Sequence, residues 1–198
     1  MAQGASSSGI LAGGYGGLGA SVSPTTAGNV LFTADGSVWS STQKIVRGTA
    51  VTLTTQTAVD FTSVPSWVKR ITLTFQGISL NGTSNFLIRL GTGGTPTTSG
   101  YVSGSSSIGS AVASLTSSVG FAMQVGSTAA LSVSGSVSFV NLSSNIWTAN
   151  GVGGYAGTTG TITVGGHISL SGTLDMVRLT TINGTDTMDA GSVNILYE

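Results

Sequence analysis

Residues 131–139 read Leu-Ser-Val-Ser-Gly-Ser-Val-Ser-Phe. Leu131, Val133, Val137 and Phe139 fall on one phase of a two-residue period, and Ser132, Ser134, Ser136 and Ser138 on the other. A chain with that period buries one face of a β-strand and shows the other to its surroundings. The same alternation recurs upstream, where Ile71, Leu73 and Phe75 interleave with Thr72, Thr74 and Gln76, with a bulge expected at Gly77. Asn81-Gly82 then turns the chain back into Phe86, Ile88 and Leu90, with Leu87 and Arg89 on the opposite phase. Val51, Leu53 and Val59-Asp60-Phe61 supply earlier strands, ahead of a turn at Val64-Pro65-Ser66-Trp67. Ile162, Val164, Ile168, Leu170, Leu174 to Ile182, Val193, Ile195 and Tyr197 supply the last ones.

Composition agrees with this pattern. Serine and threonine together number about 60 of the 198 residues, with 31 glycines beside them. Glutamate occurs only at Glu198 and lysine only at Lys44 and Lys69, so the residues that build exposed helix faces are missing. Hydroxyl-bearing residues in their place suit a pleated surface. The expected fold is all-β: an antiparallel β-sandwich of about ten short strands, of jelly-roll type. Residues 91–109 and 151–160 read as its long Gly/Ser/Thr loops.

Only 6% of the side chains are charged, the formal net charge is +0, and the mean hydropathy is +0.37. Six basic residues dispersed along the chain give no counterion-releasing surface, so nucleic acid is not an expected partner. No run approaches eighteen apolar residues, so no membrane insertion is expected. The opening residues lack a basic n-region and an apolar h-region, and no signal peptide is expected. Without cysteine there is no disulfide framework or thiolate chemistry. So few charges leave strand edges and faces unguarded against pairing, which points to surfaces covered by other subunits.

The chain divides into three parts. Residues 1–26 are an extended Gly/Ser-rich N-terminal arm without period, whose sizeable anchors are Ile10, Leu11, Tyr15 and Leu18. Residues 27–43 form a short hairpin or joint, with Asp35-Gly36 between two apolar runs. Residues 44–198 form the sandwich.

Candidates for chemistry are sparse. His167 has no recognisable nucleophile or orienting acid around it and reads as a strand or turn residue. Asp186 and Asp189 are the only close carboxylates and read as turn residues capping local N–H groups, not as an acid–base pair or calcium site. Gly91-Thr92-Gly93-Gly94 lacks the lysine and following helix of a phosphate cradle. Catalytic residues, metal ligands and cofactors are therefore not expected, and the chain does not read as an enzyme. Tyr101, Trp147 and Tyr155, in or beside the long loops, could stack on sugar rings of a host glycan, but aromatics there more often fill a subunit interface.

At this point the residues carry a resemblance. Gly28-Asn29-Val30-Leu31, then Asp35-Gly36-Ser37 and Trp39, resemble a segment common in tail-fibre and other tail-associated proteins of bacteriophages. Ser63 to Thr72, Asn81 to Asn85, Leu90 to Gly94, Arg178 to Thr187 and Asn194 to Glu198 resemble the C-terminal β domain of such proteins. The resemblance implies a virion structural protein, commonly a homotrimer. Residues 1–41 would join other virion proteins, and the domain would point outward for assembly or host attachment. The expected location is the phage particle, with the tail ahead of the capsid. The alternatives are a receptor-binding tip that takes host glycan and a capsid decoration or head-fibre protein. The chain has no coiled coil, collagen-like repeat or shaft.

Overall fold

The computed structural model describes residues 29–33, 39–43, 45–109, 111–123, 125, 129, 131–156 and 160–198. The arm anchors Ile10, Leu11, Tyr15 and Leu18 and the Asp35-Gly36 turn lie outside the described residues. The chain divides into two units at Val46/Arg47. In the first, β1 (Asn29–Thr33) pairs antiparallel with β2 (Trp39–Gln43), with Asn29 opposite Gln43 and Thr33 opposite Trp39. A two-residue strand, β3 (Val46–Arg47), stands at the division.

The second unit is an antiparallel β-sandwich, and no helix occurs among the described residues. Its strands are β4 (Val51–Thr52), β5 (Ala58–Phe61), β6 (Arg70–Leu80), β7 (Phe86–Thr92), β8 (Thr95–Pro96), β9 (Val102–Ile108) and β10 (Val112–Ser117). They continue with β11 (Phe121–Met123), β12 (Ser132–Ser143), β13 (Ile146–Ala156), β14 (Gly160–Ser169), β15 (Met176–Thr181) and β16 (Met188–Tyr197). The large sheet runs β10-β9-β14-β13-β12-β6-β16, with β4 also on β16. The small sheet runs β11-β7-β15-β5, with β8 on β7. The sheets are unequal, unlike the matched four-stranded sheets of a jelly roll.

The Leu-Ser-Val alternation does what its period requires. Val133, Val137 and Phe139 of β12 are buried, while Ser134, Ser136 and Ser138 turn away from the core. In β6 the buried phase changes from odd to even: Ile71, Leu73 and Phe75, then Ile78 and Leu80. The change falls at the expected bulge, where Phe75 to Ile78 spans the same distance as Val133 to Gly135. Gly77 supplies the positive φ of 63° that the extra residue needs, and Gly191 (φ 89°) lies against it from β16.

Between the sheets, Phe121 meets Tyr101 edge-on at 5.0 Å between ring centroids, and Phe139 at 5.5 Å. These contacts tie β11 of the small sheet to β12 of the large one.

Both expected loops prove to be mainly strand. Residues 91–109 contain the end of β7, then β8 and β9, and residues 151–160 contain most of the distal half of β13 and the start of β14. The inward phase of β9 is Ser103, Ser105 and Ser107, all buried. Small side chains there leave room for β11, whose Ala122 N–H donates to Ser103 Oγ at 3.2 Å.

Candidate functional site

Within the second unit, two pairs of the segments that carry the resemblance are distant in sequence but meet in space. The Asn81–Asn85 turn lies against the Asn183–Thr187 turn. Asn81 N–H donates to the Thr187 carbonyl at 3.0 Å, and Thr187 N–H returns a bond to Asn81 Oδ1 at 2.8 Å. Ser84 N–H donates to Asp186 Oδ2 at 2.9 Å, Asn183 Nδ2 to Asp186 Oδ1 at 2.7 Å, and Asn183 N–H to Ser84 Oγ at 3.2 Å. Asn183 Oδ1 in turn accepts from the N–H groups of Thr185 and Asp186. Gly82 is needed because the Asp186 carboxylate occupies the place of a side chain.

Asp186 is thus the acceptor that clasps two loops. The Asn183 side-chain amide, and after it the Ser84 N–H, hold its carboxyl below the usual carboxylate range. Asp189 accepts from the Ser79 hydroxyl. The expectation of two turn residues capping local N–H groups needs correcting: Asp186 lies in the turn but bonds the Asn183 side chain and the distant Ser84 N–H, and Asp189 lies in β16 and bonds a hydroxyl across the sheet. A depressed acid stabilises the fold above its unfolded pKa, and that contribution disappears as pH falls through the folded value. Asp186→Asn is expected to lower the melting temperature at neutral pH. Its deficit relative to the unmodified chain should close as pH drops below the ordinary carboxylate range, in parallel thermal melts.

A second junction joins the Ser63–Arg70 segment to the end of β16. Lys69 N–H and Arg70 N–H both donate to the Glu198 carbonyl at 2.8 Å, and Glu198 N–H donates to the Arg70 carbonyl at 2.9 Å. The Arg70 guanidinium pairs with the Glu198 carboxylate, and the Trp67 and Tyr197 rings lie 6.0 Å apart. The Gly93-Gly94 turn is fastened by Asp175, which accepts the Gly94 N–H at 3.0 Å.

The proposed sugar platform does not assemble. Tyr101 is 3% exposed, and its hydroxyl donates to the Leu90 carbonyl at 3.1 Å while accepting the Leu90 N–H at 2.9 Å. Trp147 is 4% exposed on the inward phase of β13. Both are core residues, because the segments around them are strands with buried faces. Tyr155 alone is half-buried, packed against the core beside Gly160. His167 points outward from β14, opposite Val102 and Thr148. Among the described residues no three His, Asp or Glu side chains gather as ligands for an ion.

The surface that sequence reading passed over is the outer face of the large sheet. One row across it is Ser114, Ser106, Thr163, Val152, Ser136, Thr74 and Asn194. The next is Thr116, Gly104, Gly165, Asn150, Ser138, Thr72 and Leu196. Hydroxyls bond across strands, Ser106 with Thr163 at 2.8 Å and Thr72 with Ser138 at 3.2 Å. Val102, Ile108, Val112, Val140, Leu142 and Val152 stand exposed on the same side. A signal was present in β12: its serine phase, Ser132 to Ser138, continues into Val140 and Leu142.

Compared with known protein families, curated proteins and solved structures, the chain matches none.

Proposed function

We propose that this chain is a non-enzymatic structural subunit of a bacteriophage particle, a tail fibre or tail-associated appendage. Residues 1–26 anchor it in the particle, the 27–43 segment is the joint, and the sandwich faces outward and associates with its own copies, three to an assembly. The observation that carries this reading is the mutual contact of the resembling segments. Asn81–Asn85 with Asn183–Thr187, and Ser63–Arg70 with Ile195–Glu198, are paired joints of one framework. Because these segments hold each other's loops, their resemblance to tail-associated β domains is one of a connected framework and not of isolated motifs.

The glycan-binding alternative is weakened by the burial of Tyr101 and Trp147. Deleting residues 1–26 is expected to leave the second unit folded, since its core lies within residues 47–198. Particles made with the truncated chain should lack it, as read by protein composition of purified virions. Normal incorporation would overturn the anchoring role.

A further inference from the structure

The two outer surfaces of the sandwich differ in chemistry. On the small sheet, Arg178 lies between Asp60 and Arg89 on neighbouring strands, and its guanidinium donates to both Asp60 carboxylate oxygens at 2.6 Å. On the same phase, Leu87, Ala122, Met176 and Thr180 are buried, so this side of the small sheet is already largely covered. The outer rows of the large sheet hold mainly Ser, Thr, Gly, Asn and aliphatic residues; the exceptions are His167, Gln76, Asp189 beside Ser79, and the Arg70–Glu198 pair at one corner. Ile108 and Val112 are paired at one corner, Val152 lies near the middle, and Val140 and Leu142 lie towards the opposite corner. Together they draw an aliphatic diagonal across the hydroxyl rows.

We infer that this face is the seam between copies of the chain, turned towards the assembly axis, where it meets the same face of the neighbouring copies; the inference rests on the self-associating subunit proposed above. Charge supports that occupant. Faces whose rows carry so few ionised groups, Asp189 and the Arg70–Glu198 pair on the β6–β16 side, come together with little like-charge repulsion and little ion desolvation. A strongly charged partner would leave its own ions unpaired here. The size of the face is of the same order as an interface. Strand spacing of about 4.8 Å and about 6.8 Å per residue pair give a face about 30 Å by 20 Å, roughly 600 Å² before side-chain relief. A stable interface takes about 800 Å² from each partner. The serines and glycines are small enough for two such sheets to approach closely, while the aliphatic diagonal supplies apolar burial.

Val152 is the residue to test, because it is 60% exposed and central, so a lone domain tolerates a larger side chain there. The full chain is expected to sediment as an assembly. Val152→Arg should weaken association at least tenfold and shift the mass towards the monomer, with an unchanged melting curve at dilutions where both are monomeric. Thr98→Arg, an exposed position after β8, should remain assembled. A Val152→Arg chain as assembled as the unmodified one, or an unmodified chain that is monomeric at high concentration, would overturn the seam. If the arginine chain still assembles and enters particles, the seam fails and the virion reading stands. If it dissociates but the unmodified chain never enters particles, the seam stands and the virion reading fails.

Discussion

Gly191→Ala is expected to destabilise the sandwich by at least about 3 kcal/mol, whereas Gly77→Ala costs about 1–2 kcal/mol. Both glycines have positive φ, 89° and 63°, so either alanine carries the strain of a left-handed L-residue. They differ in what a new methyl meets. At Gly77 it reaches only the Ser132 hydroxyl at 3.6 Å, an ordinary contact. At Gly191 it strikes the Gly77 carbonyl carbon and oxygen at 2.5 Å and the Gln76 carbonyl oxygen at 2.6 Å. Those atoms are main chain in the middle of the large sheet and cannot swing aside. The paired irregularity of β6 and β16 would have to open, taking ladder bonds with it. Urea unfolding of the two variants measures the gap. At about 2–4 °C per kcal/mol for a unit of this size, Gly191→Ala should melt about 6–12 °C lower. Equal losses in the two variants would mean that φ strain alone sets the cost.

Tyr101→Phe is the second large effect. Removing the hydroxyl leaves the buried Leu90 N–H without its acceptor, although the Leu90 carbonyl keeps the Thr97 N–H at 2.9 Å. An orphaned buried donor costs about 1–3 kcal/mol. The same site fixes an alkaline limit. Burial pushes the Tyr101 hydroxyl up to about 12, with the Leu90 hydrogen bond and Arg89 opposing. The unfolded phenol ionises near its ordinary value of about 10. The folded state therefore holds a proton that the unfolded state has released, and stability falls as pH rises from the ordinary value through the folded one. A shift of this size corresponds to about 3 kcal/mol. The unmodified chain should lose that much across the interval while Tyr101→Phe shows no such slope, in denaturant titrations at a series of alkaline pH values.

The strands legible in the sequence were those with apolar and hydroxyl residues in strict alternation, such as Val133 to Phe139 and Ile71 to Phe75. There, burial and period agree, and even the bulge announces itself, because the apolar phase slips at Gly77. β9 was illegible for a physical reason. Its inward phase is Ser103, Ser105 and Ser107, and its end residues, Val102 and Ile108, are 59% and 56% exposed. A strand whose core side must be small to admit β11 has no hydrophobic period to read. Tyr101, in the connection before β9, and Trp147, in β13, were expected to be available at the surface, but both fold into the core. The resembling segments were visible one by one, but their contacts were not, because Asn81 and Thr187 are 106 positions apart. The aliphatic diagonal is spread over β9, β10, β12 and β13, and only the sheet register brings it together.

β6 lies between β12 and β16, so one of its hydrogen-bonding edges waits for residues 188–197. A ribosome must therefore deliver nearly the whole domain before its central strand has both neighbours. Until then the nascent chain holds a greasy ribbon, charged only at Arg70, that would readily join another of its kind. Closure should be slow, dominated by distant pairings, and production at lower temperature with a chaperone present should raise the soluble yield.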